Sequence, residues 1–214
     1  MLTFFFSLIL AVSINLFAQD YSHTYINQTG SEISYETHEL QHTSGETVYT
    51  CCSGNEVVTT FCNSLTTRET WVNNSETNTA LKAYREENTL YLTGILSGKD
   101  FSKKFAIDDL PWYQSMSYSL TGLVSSPEPE VQFWLLRIDK PKIYKMKAMK
   151  KGIEILDSNG MIIEAQKIEV RLAGFFSQFW QSHYWFRLSD GLFVKYEGVN
   201  GPPGDPLTRI ELLE

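Results

Sequence analysis

Apolar and polar side chains alternate along most of the chain, and β-branched and aromatic residues are concentrated in the alternating runs. Turn-forming residues separate these runs at intervals of about 8–12 residues. Such a period of two is typical of strands with one buried face. The pattern predicts strands over 32–37, 47–52, 57–62, 69–72, 80–84, 89–96, 101–107, 131–138, 143–148, 153–156, 161–165, 184–188 and 192–197.

One segment changes to helical spacing. Leu110, Tyr113, Met116 and Leu120 lie three or four positions apart, and Pro111 suits the first turn of a helix. We therefore expect one short helix near residues 110–121. The fold class predicted is mainly β, an antiparallel meander that forms a curved sheet or an open barrel or sandwich.

The tightest register prediction concerns the Asp190-Gly191 turn, a dipeptide that favours two-residue hairpins. With that turn, Trp185 pairs with Tyr196, and Trp185, Arg187 and Tyr196 share one face. Arginine stacked on aromatic rings can hold a ligand against an aromatic floor, although a structural cation–π ladder explains the same residues. With Trp134, these residues form our candidate ligand-binding site.

The amino terminus has the pattern of a targeting segment. Residues 1–18 carry no charged side chain and end at a small residue, Ala18. The apolar run is short for a bilayer span, so we predict a cleaved signal peptide over 1–18 and a single β-rich domain over 19–214. An uncleaved anchor is the alternative. We expect an exported protein, periplasmic or secreted, without a transmembrane segment after cleavage.

Composition supports a packed domain and restricts its partners. The chain is 43% hydrophobic and 14% aromatic, which is enough material for a core. Its formal net charge of −7 argues against nucleic acid as a partner.

The string His38-Glu39-Leu40-Gln41-His42 fits the zinc-binding pattern H-E-x-x-H. That pattern needs a helix, on which both histidines share one face. The surrounding alternation predicts a strand instead, where residues 38 and 42 are about 13 Å apart. A zinc-dependent hydrolase is kept as an alternative, and our main interpretation assigns no catalytic residue, metal ligand or cofactor.

The three cysteines, Cys51, Cys52 and Cys62, are an odd number for an exported protein. With Gly54-Asn55 as the turn, Cys51 lies opposite Val58, and Cys62 lies opposite Thr47. This register does not favour a direct bond to Cys62. Whether any disulfide forms stays open at this point.

Seven of the 18 lysines and arginines lie in residues 137–151. The basic strand 140–151 is either a solvated strand face or a surface that contacts an anionic envelope component. A structural or partner-binding module that uses this strand is a second alternative.

Three motifs in the second half resemble a family of exported bacterial β-rich proteins of unknown function. They are Gly152-Ile153-Glu154, the run from Trp185 to Gly191 with the pattern Trp-x-Arg-x-x-Asp-Gly, and Thr208-Arg209-Ile210-Glu211-Leu212. The resemblance is best over residues 110–214. It implies a curved or barrel-like sheet and a cell-envelope location, and it implies no reaction. Our main expectation is a non-enzymatic envelope or periplasmic protein that binds a lipid-like or glycan ligand.

Overall fold

The computed structural model describes residues 20–43, 45–158, 160–174, 180–199 and 205–213. The predicted signal peptide, residues 1–18, lies outside these ranges. Among the described residues no helix is both long and apolar enough to cross a membrane.

The first half of the described chain is an antiparallel meander of eight strands, because each strand is followed by a short turn that returns the chain beside it. The strands are β1 (Tyr21–Thr29), β2 (Glu32–Thr43), β3 (Glu46–Ser53), β4 (Glu56–Asn63), β5 (Thr66–Asn74), β6 (Thr79–Glu86), β7 (Thr89–Leu96) and β8 (Lys99–Ala106).

Two short helices and a second meander complete the described chain. These elements are α1 (Met116–Ser119), α2 (Thr121–Ser125), β9 (Glu130–Arg137), β10 (Lys142–Ser158), β11 (Met161–Leu172), β12 (Gln181–Arg187), β13 (Phe193–Val199) and β14 (Leu207–Leu212).

Pairing of β1 with β14 joins the two meanders into one antiparallel sheet. Within the described residues the fourteen strands follow the order β8 to β1 and then β14 to β9, so β8 and β9 are the two edges. The prediction of a mainly β fold with a curved, unclosed antiparallel sheet is confirmed. The sequence pattern did not predict β1, in which polar residues occupy both faces.

The helix begins later than its spacing predicts. Residues Pro111–Tyr113 are extended and pair with β9: Trp134 N donates to Pro111 O (2.8 Å) and Tyr113 N donates to Trp134 O (2.9 Å). Only the residues from Met116 onward are free to turn into α1 and α2. A long-range backbone pairing has therefore overridden the local helical spacing.

The two edges of the sheet meet around one buried ring. Trp112 is fully buried and belongs to a hydrophobic cluster with residues of β6, β7 and β8 and with Leu136 of β9. The segment Asp108–Gln114, which we call the seam, therefore closes the gap between the edges. Thr67 N also donates to Trp112 O (2.9 Å), which fixes the seam to β5.

Asp108 ties the seam to the second meander. Its carboxylate accepts hydrogen bonds from Lys145 Nζ (2.6 Å) and Trp134 Nε1 (2.7 Å). These two donors, Lys145 foremost, lower the pKa of Asp108 from 3.8 to about 2. On the other side, Arg85 donates to the carbonyls of Asp108 (3.0 Å) and Leu110 (2.7 Å).

We expect Asp108→Asn to lower the thermal midpoint of unfolding at neutral pH, because the uncharged amide loses the ion pair with Lys145. A lowered pKa stabilises the fold above the unfolded value and loses that effect as the pH falls through the folded value. The difference between wild type and variant should therefore be constant from about pH 7 to 5 and shrink below about pH 4. Asp109→Asn, with the same charge change next door, is the control. Equal midpoints for Asp108→Asn and wild type at pH 7 would contradict this role.

Candidate functional site

Trp134, the first predicted site residue, is part of the seam. Its indole donates to Asp108, and Lys145 Nζ lies 5.1 Å from the ring centroid. Its backbone N–H and C=O pair with the seam. The structure thus gives Trp134 a packing role at the meeting of the two edges.

Trp185 is buried, although it points away from the sheet interior. Its Nε1 donates to Glu154 Oε2 (2.8 Å). The ammonium groups of Lys167 and Lys195 lie 4.9 and 5.4 Å from its ring centroid. The ring is therefore held between two cations, as in the cation–π ladder that we gave as the alternative to a ligand site.

The predicted pairing of Trp185 with Tyr196 is wrong. Trp185 pairs with Lys195, and Tyr184 pairs with Tyr196, because a bulge lies between Trp185 and Phe186. The loop also has four residues, 188–191, since Arg187 N donates to Leu192 O (2.8 Å). Tyr196 therefore points into the interior, on the opposite face from Trp185, and packs edge-on against Tyr184 with ring centroids 4.9 Å apart.

Arg187 is engaged within its own loop. Its Nε and Nη2 donate to the two carboxylate oxygens of Asp190 at 2.9 and 2.5 Å. The four predicted site residues therefore lie in separate places: Trp134 in the seam, Trp185 and Arg187 on the outer face, and Tyr196 inside. Ligand binding by any of them stays a prediction.

The His38–His42 string lies in strand β2, as the alternation predicted. His38 is buried and bonds to Glu36, whereas His42 lies beside Asp20 (Nδ1 to Oδ1, 3.3 Å). Glu39 projects to the other face, because successive side chains of a strand alternate. The H-E-x-x-H arrangement on a helix is not formed.

The cysteine register is confirmed. Cys51 pairs with Val58 and Cys62 pairs with Thr47, and Cys51, Cys52 and Cys62 are free thiols. Burial raises the pKa of Cys62 to about 12 and the pKa of Cys51 well above its usual range. Without a nearby cation these two thiols keep their protons, and a protonated thiol is a poor nucleophile.

Cations of the basic strand 140–151 have partners within the chain. Lys147 Nζ lies 2.7 Å from a carboxylate oxygen of Glu130, and Lys151 Nζ lies 3.3 Å from one of Glu169. These ion pairs reduce the positive charge available to an external surface.

Residues 152–158 and 160–164 of the β10–β11 hairpin, which we call the arm, extend past the end of the neighbouring strand β12. The arm begins at a register shift between Lys150 and Gly152, and pairing with β12 ends at Ala165. It is anchored by Leu188 N, which donates to Glu164 O (2.9 Å), and by Ser158 Oγ, which donates to Leu212 O (3.1 Å).

The two faces of the arm have different surroundings. Leu156 and Ile163 join the largest hydrophobic cluster. Ile153, Ile155 and Ile162 lie on the opposite face, which the cross-strand register defines, and are 60–70% exposed. These three aliphatic side chains form a small apolar patch, and the acidic residues Asp157 and Glu164 lie opposite Ile162 and Ile155 on the same face.

A second exposed surface lies on the outer face of β4–β7. Its rings are paired across strands: Phe61 with Trp71 (centroids 5.2 Å apart) and Tyr84 with Tyr91 (5.0 Å, stacked). Trp71 is 44% exposed. We call these four residues the aromatic stripe.

The fold and these surfaces define a class, an open antiparallel β protein that resembles a barrel. No family model and no curated protein matches the chain. The crystal structure of a beta-barrel-like protein of the domain of unknown function DUF1849 from Brucella abortus is similar to it, with a TM-score of 0.65 and 9% identity over 92% of this chain and 97% of that one.

The hypothetical lipoprotein YmcC from Escherichia coli aligns with a TM-score of 0.42 and 11% identity, over 93% of this chain and 86% of that one. The Brucella likeness shows the fold. It leaves the three motifs of the second half as a resemblance.

We expect Trp185→Ala to destabilise the protein by about 3–5 kcal/mol, because it removes a buried ring together with the hydrogen bond to Glu154. Arg187→Ala should cost less than about 1 kcal/mol, since its ion pair with Asp190 is partly exposed. Urea unfolding followed by circular dichroism measures both. Equal losses of stability in the two variants would refute this division between a packing residue and a surface residue.

Proposed function

We propose that this chain is an exported, non-enzymatic β protein of the cell envelope, periplasmic or secreted, that binds a lipid-like ligand on the arm. The apolar segment 1–18 supports export. The isoleucine face of the arm is the observation that carries the proposal for the ligand.

The arm offers aliphatic surface that the rest of the fold leaves uncovered. Fully burying an isoleucine side chain contributes roughly 1.5–3 kcal/mol, so Ile153, Ile155 and Ile162 together can hold an acyl chain. Apolar contact of this kind lacks directional hydrogen bonds, which suits a flexible chain of methylene groups.

The cavities and the interior of the described residues suit such a ligand less well. A cleft of about 410 Å³ lies beside the β4–β5 and β6–β7 turns, and polar side chains that include Thr66, Arg68, Arg85 and Asn88 line it. The sheet interior is filled by large side chains such as Tyr25, Phe133 and Phe186. The support for a lipid-like ligand therefore comes from the arm.

We expect the double variant Ile155→Ser/Ile162→Ser to bind a dansylated fatty acid at least about tenfold more weakly than wild type, because losing roughly 1.4 kcal/mol of apolar contact corresponds to one decade in affinity. Fluorescence titration measures the dissociation constant, and displacement by an unlabelled phospholipid tests specificity.

Ile33→Ser is the matched control, because Ile33 is 60% exposed on β2, outside the arm. Its affinity should equal that of wild type. Absence of binding by the wild type, or equal weakening in the control, would refute the arm as the site. Loss of a concentration-dependent dimer in the double variant would assign the face to a second copy of this chain.

A glycan ligand is the second candidate, and the aromatic stripe favours it. The exposed Trp71 ring is steadied by a hydrogen bond from its Nε1 to Glu69 Oε1 (2.5 Å). Lys82 Nζ lies 5.9 Å from the Trp71 ring centroid and 5.5 Å from that of Tyr84. A fixed, half-exposed indole suits stacking against the apolar face of a sugar ring.

If the stripe binds glycans, chitotetraose should change the tryptophan fluorescence of the wild type, and Trp71→Ala should abolish the saturable part of that change. Tyr35→Ala, at an exposed ring on β2 outside the stripe, is the control and should leave the titration unchanged. A flat titration of the wild type removes this candidate and leaves the arm untouched.

Contact of the basic strand 140–151 with an anionic envelope surface stays a prediction. The ion pairs of Lys147 and Lys151 would have to open for it.

A further inference from the structure

Three side chains with metal-binding atoms meet on the inner face of β2 and β3. Glu36 and His38 are two positions apart on β2 and so share a face, and Cys51 of β3 is the direct cross-strand neighbour of His38. One carboxylate oxygen, one imidazole nitrogen and the thiol sulfur all lie within 4.8 Å of one another.

The ring of His38 is held in one orientation. Its Nδ1 lies 2.6 Å from the hydroxyl of Tyr49, which in turn lies 2.7 Å from the hydroxyl of Ser117. The Tyr25 ring lies against the imidazole with centroids 4.2 Å apart. These contacts direct Nε2 at Glu36. In metal sites, a hydrogen bond to the second ring nitrogen commonly orients a histidine ligand in this way.

Glu36 is a buried carboxylate with weakly compensating partners. Its Oε2 accepts a hydrogen bond from Asn27 Nδ2 (3.0 Å), and its Oε1 lies 2.8 Å from His38 Nε2. Glu36 and His38 are 6% and 4% exposed. A cation bound between these two side chains would compensate for the hydration that they lose on burial.

We propose that Glu36, His38 and Cys51 form a zinc site in the interior of the sheet. Zinc prefers thiolate, imidazole and carboxylate ligands, whereas calcium and magnesium prefer oxygen ligands alone. Donor atoms around tetrahedral zinc are about 3.3–3.6 Å apart, given bond lengths of about 2.0–2.3 Å. The three donor atoms lie within 4.8 Å of one another, close to this range.

This site differs from the H-E-x-x-H pattern and is independent of the proposed function. It uses His38 but neither Glu39 nor His42, and its ligands come from strand alternation and cross-strand pairing. Zinc would join β2 to β3 and leave one tetrahedral position for water or an outside ligand.

Titration of the metal-free full-length protein with Co²⁺, a spectroscopic substitute for zinc, tests the site. We expect one Co²⁺ per chain, an absorption band from thiolate-to-cobalt charge transfer, and loss of that band when Zn²⁺ is added. Cys51→Ser should abolish the band and weaken Zn²⁺ binding at least tenfold.

Cys52→Ser is the matched control, because Cys52 is the next residue of β3 and projects to the opposite face. It should keep the band. Zn²⁺ should also raise the thermal midpoint of the wild type and of Cys52→Ser, but not that of Cys51→Ser. If Cys51→Ser fails to fold, Glu36→Gln and His38→Gln provide the same comparison, with weaker binding expected in each.

Failure of the wild type to bind stoichiometric Co²⁺ would overturn the proposal and leave Glu36 and His38 as a hydrogen-bonded pair. Retention of the charge-transfer band in Cys51→Ser, or its loss in Cys52→Ser, would overturn it as well.

Discussion

The contact between the two edges of the open sheet is the constraint on which the rest of the structure depends. Strands β8 and β9 are the ends of the strand order, and an unpaired edge exposes backbone groups to unwanted pairing. The seam protects the β9 edge, because its backbone pairs with Trp134 and its Trp112 side chain packs between the two edge strands. Among the described residues the two edge strands do not pair with each other, so the sheet stays open and the seam spans the gap between them.

The packing of the interior limits where a ligand can bind. Large rings such as Tyr25, Tyr49 and Phe133 fill the interior, so an acyl chain or a sugar has to approach from outside. A single ion needs far less space than these ligands, and the contact of Glu36 with His38 shows that polar atoms are already gathered there. The interior therefore suits a metal, and the outer surfaces suit larger ligands.

Local sequence patterns predicted most of the strands and part of their register. The features that they failed to predict depend on pairing between residues distant in the sequence. The Gly54-Asn55 turn placed Cys51 opposite Val58 correctly, because that hairpin has a two-residue turn. The register predicted from the Asp190-Gly191 turn was wrong, because a bulge and a four-residue loop shift the pairing of β12 with β13. The helix was placed too early since its first residues pair with Trp134, far along the chain. The exposure of the arm depends on where β12 ends, and the alternation within the β10–β11 hairpin does not predict that position.

The buried cluster and the arm depart from the usual distribution of polar and apolar side chains in opposite directions. Glu36 and His38 put ionisable groups in the interior, and Ile153 and Ile155 leave aliphatic groups exposed to solvent. Neither placement helps folding, because burying ionisable groups is costly and exposed aliphatic surface favours aggregation. The sequence contains a signal for the buried cluster. Glu36 and His38 share one face of β2 by alternation, and the short β2–β3 hairpin places Cys51 opposite His38. Departures of this kind, which fit the register but oppose stability, are the reason that we propose these two places as binding sites.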